Sequence, residues 1–184
     1  MSRVEVTIAG LGGQGSITAG LMLGEAAVTY DGKYAAQTQA YSSEQRGGFA
    51  ATWVIVSEEP ILFPRVTHPD ILVAQAMDSI SRYAKVLKPS GMLIIDSDMV
   101  TEPPENIARM FRVPATSISR NRLNAPVTAN VLMLGALCAA SGVVSREALE
   151  KVISKSVPKG KERLNLEAFD IGFRTVLEQM KPGR

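Results

Sequence analysis

Apolar positions along the chain fall into short runs punctuated by glycine, proline and polar residues, and the period of each run sets the element it predicts. Val4-Glu5-Val6-Thr7-Ile8-Ala9 alternates and stops at Gly10, which predicts a first strand running into a glycine turn. A helix is expected from about Gly15 to Tyr30, closed by the turn pair Asp31-Gly32, with a second strand over 33–39. Residues 42–48 are polar and end in two glycines, a loop, and 49–57 is rich in β formers. Pro60, Pro64 and Pro69 break the next stretch, before the short apolar run Asp70-Ile71-Leu72-Val73-Ala74, typical of a buried strand. Asp78 is expected to cap a helix running to about Val86. Residues 92–96 and 109–113 read as two more strands. From Val127 the pattern turns helical: 127–140, then 145–157 with a capping box left incomplete by Ala148, then 161–180. Strands alternating with helices predict an α/β fold, a mostly parallel sheet with helices on both faces and a helical C-terminal part. No repeat or linker divides residues 1–184, so a single domain is expected.

Composition narrows the classes. Twenty Lys and Arg against 18 Asp and Glu give a net charge of +2, too balanced for a chain that neutralises many phosphates along a nucleic acid. No export signal is visible at Met1-Ser2-Arg3-Val4-Glu5. The apolar run 131–140 is shorter than the about 20 residues needed to cross a bilayer. A cytoplasmic protein is the expectation, without nucleic acid or membrane as partner. The single cysteine, Cys138, rules out an intrachain disulfide and an all-cysteine cluster within this chain. Cys138 lies in an apolar helix, where a small buried hydrophobe is the simpler role, and His68 has no companion at metal-ligand spacing. Asp96 and Asp98 end a strand on the side where open sheets bind ligands, with capping of the next turn as the simpler role.

Two segments carry candidate chemistry. Gly10-Leu11-Gly12-Gly13-Gln14-Gly15 fits G-x-G-x-x-G between a strand and a helix, which makes the fold Rossmann-like. The turn is expected to need positive φ at Gly12, and unpaired amides at the helix start favour an anion. The competing reading is a tight turn in which glycine serves packing alone. Asp31 stands near the spacing of a ribose-binding carboxylate but falls in the turn before the second strand, which disfavours NAD. The second segment is Tyr41-Ser42-Ser43-Glu44-Gln45-Arg46-Gly47-Gly48. Arg46 suits a bidentate contact with phosphate or carboxylate, oriented by Glu44, while a solvated loop with a surface ion pair is the plainer alternative.

Together these segments resemble the gamma subunit, or gamma domain, of the 2-oxoacid:ferredoxin oxidoreductases. The similarity continues through His68-Pro69-Asp70-Ile71-Leu72-Val73, Lys88-Pro89-Ser90-Gly91-Met92-Leu93-Ile94-Ile95-Asp96, Asn130-Val131-Leu132-Met133-Leu134-Gly135-Ala136 and Asn165-Leu166-Glu167-Ala168-Phe169. The resemblance implies a subunit, inactive alone, of an enzyme that decarboxylates a 2-oxoacid on thiamine diphosphate, passes electrons through iron–sulfur clusters to ferredoxin, and releases acyl-coenzyme A. Thiamine diphosphate, Mg2+ and [4Fe-4S] clusters are then expected on alpha, beta and delta-type partners. Coenzyme A is the expected contact of this chain, through Gly10, Gly12, Gly13, Gln14 and Gly15 and through Ser42, Ser43, Glu44, Arg46 and Gly47. Ser43 departs from the proline usual in relatives. The Arg46-Gly47-Gly48 ending leans toward 2-oxoglutarate-type rather than pyruvate-type subunits. Self-association of the isolated chain, a non-catalytic assembly module and a free-standing nucleotide-binding reductase are the other expectations carried forward.

Overall fold

The computed structural model describes residues 3–42 and 47–181. The loop residues 43–46, and with them Ser43, Glu44 and Arg46, lie outside the described residues. Six strands, β1 (Arg3–Leu11), β2 (Tyr34–Tyr41), β3 (Phe49–Ser57), β4 (Ile71–Ala74), β5 (Met92–Asp96) and β6 (Arg109–Val113), form one sheet in the order β2-β3-β1-β4-β5-β6. Pairings β1–β4, β4–β5 and β5–β6 are parallel, whereas β2–β3 and β3–β1 are antiparallel. The sheet is therefore mixed: the expected parallel arrangement holds from β1 to β6, and an antiparallel flap occupies the other side. The cause is the connection between β2 and β3, too short for a crossover helix, which forces a hairpin.

Helices α1 (Ser16–Thr29), α4 (Ala129–Ser141), α5 (Arg146–Ser156) and α6 (Glu162–Met180) share one core with Val6, Ile8, Val54 and Ile94 on one face. Helix α2 (Met77–Tyr83) covers the opposite face with Leu72, Leu93 and Ile95. Helices α4 and α6 meet where neither tolerates a side chain. A Cβ at Gly135 would strike the carbonyl oxygen of Phe169, and one at Gly172 the carbonyl oxygen of Leu132. Close backbone approach, not flexibility, is what glycine supplies at this crossing.

Local chemistry explains most boundaries. Ser145 is the N-cap of α5 and accepts the Ala148 amide at 3.2 Å, so the capping box is half made, as the missing Glu or Gln predicts. Asp78 corrects the expectation placed on it: Ala76 is the N-cap of α2, and Asp78 sits in the first turn, where it accepts from Arg82 at 2.6 Å. The strand expected over 33–39 runs instead over Tyr34–Tyr41: the Lys33 amide is taken by the Ala27 carbonyl at 2.9 Å, and pairing with β3 continues to Tyr41 opposite Ala50. A short helix α3 (Ala115–Ser117), continued by a wider turn over Ile118–Arg122, had no apolar period to announce it. Asp96 and Asp98 tie this segment down. Asp96 accepts from the Thr116 hydroxyl at 2.6 Å and Asp98 from the Ser117 amide at 2.6 Å. Burial pushes the Asp96 carboxyl above its ordinary range, and the hydrogen bonds it accepts from the Thr116 hydroxyl and from the Asp98 and Thr116 amides oppose the shift.

Candidate functional site

Strands β1 and β4 are parallel neighbours, and the helices that follow them, α1 and α2, go to opposite faces. Such a divergence opens a crevice beyond the carboxyl ends of the strands, where open α/β sheets bind ligands. Here two glutamines fill it. The Gln14 side chain accepts from the Leu11 amide at 2.6 Å and donates to the Gln75 carbonyl at 2.9 Å. Gln75, almost fully buried, donates back to the Gln14 carbonyl at 3.3 Å and accepts from the Ser16 hydroxyl at 2.6 Å. Gly10 belongs to the same clasp, since a Cβ there would lie 2.5 Å from Gln14 Oε1. Gln14 and Gly10, expected to face an anion, thus use their side-chain atom and space to hold the turn.

The left-handed positions of this turn are Gly13 (φ 95°) and Gly15 (φ 76°). Gly12, where positive φ was expected, is constrained differently: its amide donates to the Gly48 carbonyl at 2.6 Å, and a Cβ would stand 3.3 Å from that oxygen. Close approach of the hairpin is the reason for glycine there. Gly15 is the N-cap of α1, and a Cβ on it would come within 2.5 Å of Asn130 Nδ2. Asn130, at the start of α4, donates to the Gly15 carbonyl at 3.3 Å, while its buried Oδ1 has no hydrogen-bond partner among the described residues.

Gly12, Gly13 and Gly15 together with Ser42 and Gly48 wall an open recess of about 440 Å3, completed by Thr18, Tyr41 and Phe49. The glycine turn and the ends of the β2–β3 hairpin are therefore one wall, as the register Leu11 opposite Phe49 requires. No Asp, Glu, Lys or Arg is among the described residues that line it. Among the described residues, the charge it presents is that of the first amides of α1, which have no intrahelical acceptor and carry the positive end of the helix dipole. Arg82 stacks on the outer wall, its guanidinium carbon 4.6 Å from the centre of the Phe49 ring. The arrangement suits an anionic group lying against backbone amides, in a volume within the range of about 300–1,000 Å3 of small-molecule sites. Gly47, with φ 74°, sits beside this wall. Gln75, Thr18 and Phe49 escaped sequence reasoning; the one signal available was a polar Gln75 directly after the apolar run of β4.

Asp31 is engaged elsewhere, accepting the Ser145 amide and hydroxyl at 2.6 Å each. The strand after α1 lies at the sheet edge and not beside β1, so no carboxylate is carried to the ribose position of a dinucleotide site. Among the described residues no cluster of three His, Cys, Asp or Glu side chains is placed to hold a metal, and no helix is long and apolar enough to cross a membrane.

The sequence profile of the pyruvate ferredoxin/flavodoxin oxidoreductase family matches residues 5–175. The chain belongs to this family. Within the oxidoreductase family it is similar to the 2-oxoglutarate synthase subunit KorC of Methanocaldococcus jannaschii, 43% identical over 96% of this chain and 95% of that one. The crystal structure of the keto/oxoacid ferredoxin oxidoreductase gamma subunit from Geobacter sulfurreducens superposes with a TM-score of 0.88 at 38% identity, covering 97% and 98% of the two chains. The 2-oxoglutarate:ferredoxin oxidoreductase from Magnetococcus marinus shares the fold at a TM-score of 0.87 and 24% identity, this chain covering 99% of itself and 32% of that larger one. The expected resemblance to gamma subunits, the α/β fold and the helical C-terminal part are all borne out.

Proposed function

We propose that this chain is the gamma subunit of a multi-subunit 2-oxoglutarate:ferredoxin oxidoreductase, inactive alone, and that it contributes the coenzyme A contact of the assembled enzyme. The observation that carries the reading is the end-to-end likeness to a 2-oxoglutarate synthase subunit. The family's redox and decarboxylation chemistry comes from thiamine diphosphate, Mg2+ and iron–sulfur clusters, which alpha, beta and delta-type partners hold. In this chain Gly13 and Gly15 shape the turn so that the first amides of α1 face the recess, where they fit a phosphate of coenzyme A. Ser42 and Gly47 flank that position from the hairpin side, and Ser43, Glu44 and Arg46 complete the loop outside the described residues. Gln14 positions the turn through the clasp with Gln75 and does not itself reach a ligand by its side chain.

The test is reconstitution with the partner subunits and ferredoxin. The complex is expected to reduce ferredoxin only when 2-oxoglutarate and coenzyme A are both present, and the isolated chain to show no turnover. Gly13→Val, which places a side chain at the recess mouth, should raise the KM for coenzyme A about tenfold or more and leave that for the oxoacid unchanged. Turnover by the lone chain, or full activity of the partners without it, would overturn the reading. The engagement of Gln14 within the protein favours, as second reading, a non-catalytic assembly module. Under that reading Gly13→Val and Arg46→Ala would weaken assembly without a selective change in coenzyme A dependence.

A further inference from the structure

The two edges of the sheet are treated differently. At β6 the edge is charged by Arg109 and Arg112, and the side-chain amide of Gln179 from α6 brackets the strand, donating to the Arg112 carbonyl at 2.7 Å and accepting from its amide at 3.1 Å. Charge and a covering group are standard protections against edge pairing. At β2 neither is present. Its eight residues, Tyr34-Ala35-Ala36-Gln37-Thr38-Gln39-Ala40-Tyr41, carry no charge and no proline, and among the described residues nothing pairs with their outer side.

The main-chain direction of that edge follows from one bond. Ser42 donates its amide to the Phe49 carbonyl at 2.9 Å, so even-numbered positions of β2 direct their backbone groups toward β3. Odd-numbered positions, Ala35, Gln37, Gln39 and Tyr41, direct theirs outward. The sequence at the centre, Ala36-Gln37-Thr38-Gln39-Ala40, reads the same in both directions about Thr38. An antiparallel partner of identical sequence therefore meets it in register. Thr38 faces Thr38 as a pair without main-chain hydrogen bonds, Gln37 faces Gln39 as a hydrogen-bonded pair, and Ala36 faces Ala40. Residues opposite one another in an antiparallel ladder share a face, and a centre on a residue satisfies this, whereas a centre between residues would not.

A second feature lies on the same edge. Between α1 and β2 runs a groove of about 540 Å3, lined by Leu21, Val28, Ala35 and Gln37, in which Glu25 is the one charged residue among the described lining. Leu21 and Val28 project beside it, 53% and 52% exposed. A two-fold axis perpendicular to the sheet keeps each face on its own side, so it sets α1 of one copy next to α1 of the other. Each helix then supplies Leu21 and Val28 to cover the other's groove.

We propose that two copies of this chain join through β2, antiparallel about a two-fold axis at Thr38, merging their two sheets into one. The uncharged, self-matching strand and the apolar flank of α1 both specify a second copy, with no like charges opposed along the ladder. The full-length chain should sediment as a dimer at micromolar concentration. Thr38→Lys places two ammonium groups face to face at the axis, and it should weaken dimerisation about tenfold or more while the circular dichroism spectrum is retained. Thr38→Cys should cross-link to itself under mild oxidation. Its pair spacing of about 4.5 Å falls within the about 4.4–6.8 Å that a disulfide spans. Ala36→Cys, which faces Ala40 and not itself, should not cross-link. A monomeric wild-type chain would overturn the proposal, as would equal cross-linking from positions 36 and 38. So would a β2 edge that associates only with the catalytic subunits.

Discussion

Gly12 and Gly48, far apart in sequence, are hydrogen-bonded neighbours: the amide of the first donates to the carbonyl of the second at 2.6 Å. This bond joins the glycine turn to the hairpin and closes the recess on one side. Gly12→Val, with its Cβ forced against that carbonyl, is expected to lower stability by about 1–3 kcal/mol, read as a drop in Tm. An unchanged Tm would mean that the hairpin is not held as described.

Gly13 and Gly15 separate two costs. Both have positive φ, so alanine at either is strained by about 1–2 kcal/mol. Gly13 has open space where a Cβ would stand, whereas at Gly15 that Cβ runs into Asn130. Gly15→Ala should therefore be the more destabilising in chemical denaturation, and Gly15→Ala combined with Asn130→Ala should recover part of the difference.

The clasp between Gln14 and Gln75 predicts coupling. Each side chain supplies what the other backbone needs, so Gln14→Ala and Gln75→Ala together should cost less than the sum of the single changes. The expected interaction energy is about 0.5–3 kcal/mol in a double-mutant cycle. Strict additivity would contradict a shared network.

Cys138 gives a pH dependence with a definite sign. Burial raises its thiol from 9.0 to about 12, and the Sγ donates to the Val144 carbonyl at 3.5 Å. Between those values the unfolded chain has lost the thiol proton and the folded chain retains it. Ionisation thus favours unfolding as pH rises through this window, by about 1.4 kcal/mol per pH unit. Cys138→Ala should show a shallower alkaline fall in stability than the wild type, and native Cys138 should resist thiol reagents until the chain unfolds. Equal alkaline slopes would count against the buried thiol.

Much of this architecture is legible in the sequence where a single local rule decides. Alternation in Val4 to Ala9, continuous apolar runs at β4 and β5, and the serine at the start of α5 each have one strong interpretation. What escaped was decided by tertiary partners. Asp78 looks like a cap, but the chain entering α2 leaves β4 in extended form and places Ala76 at the cap instead. Gly12 looks like a φ requirement, but the need arises from a hairpin whose approach no local pattern announces. The mixed sheet follows from the short β2–β3 connection, a cue available in the sequence yet outweighed by strand–helix alternation elsewhere. In the recess, glycines were legible because few other residues suit such a turn. Gln75 and Phe49 were not, because their roles exist only once β4 and β3 flank β1.

The paired glycines of the α4–α6 crossing bear on how the subunit is made. Helix α6 is the last of the described elements along the chain, and its Phe169 carbonyl is what the bare flank of Gly135 admits. Before α6 forms, α4 still packs on the sheet and on α1 through the shared core, but the flank around Gly135 and Leu132 stays uncovered. Completion of this packing layer therefore depends on the most C-terminal of the described helices, which closes over a surface assembled earlier along the chain.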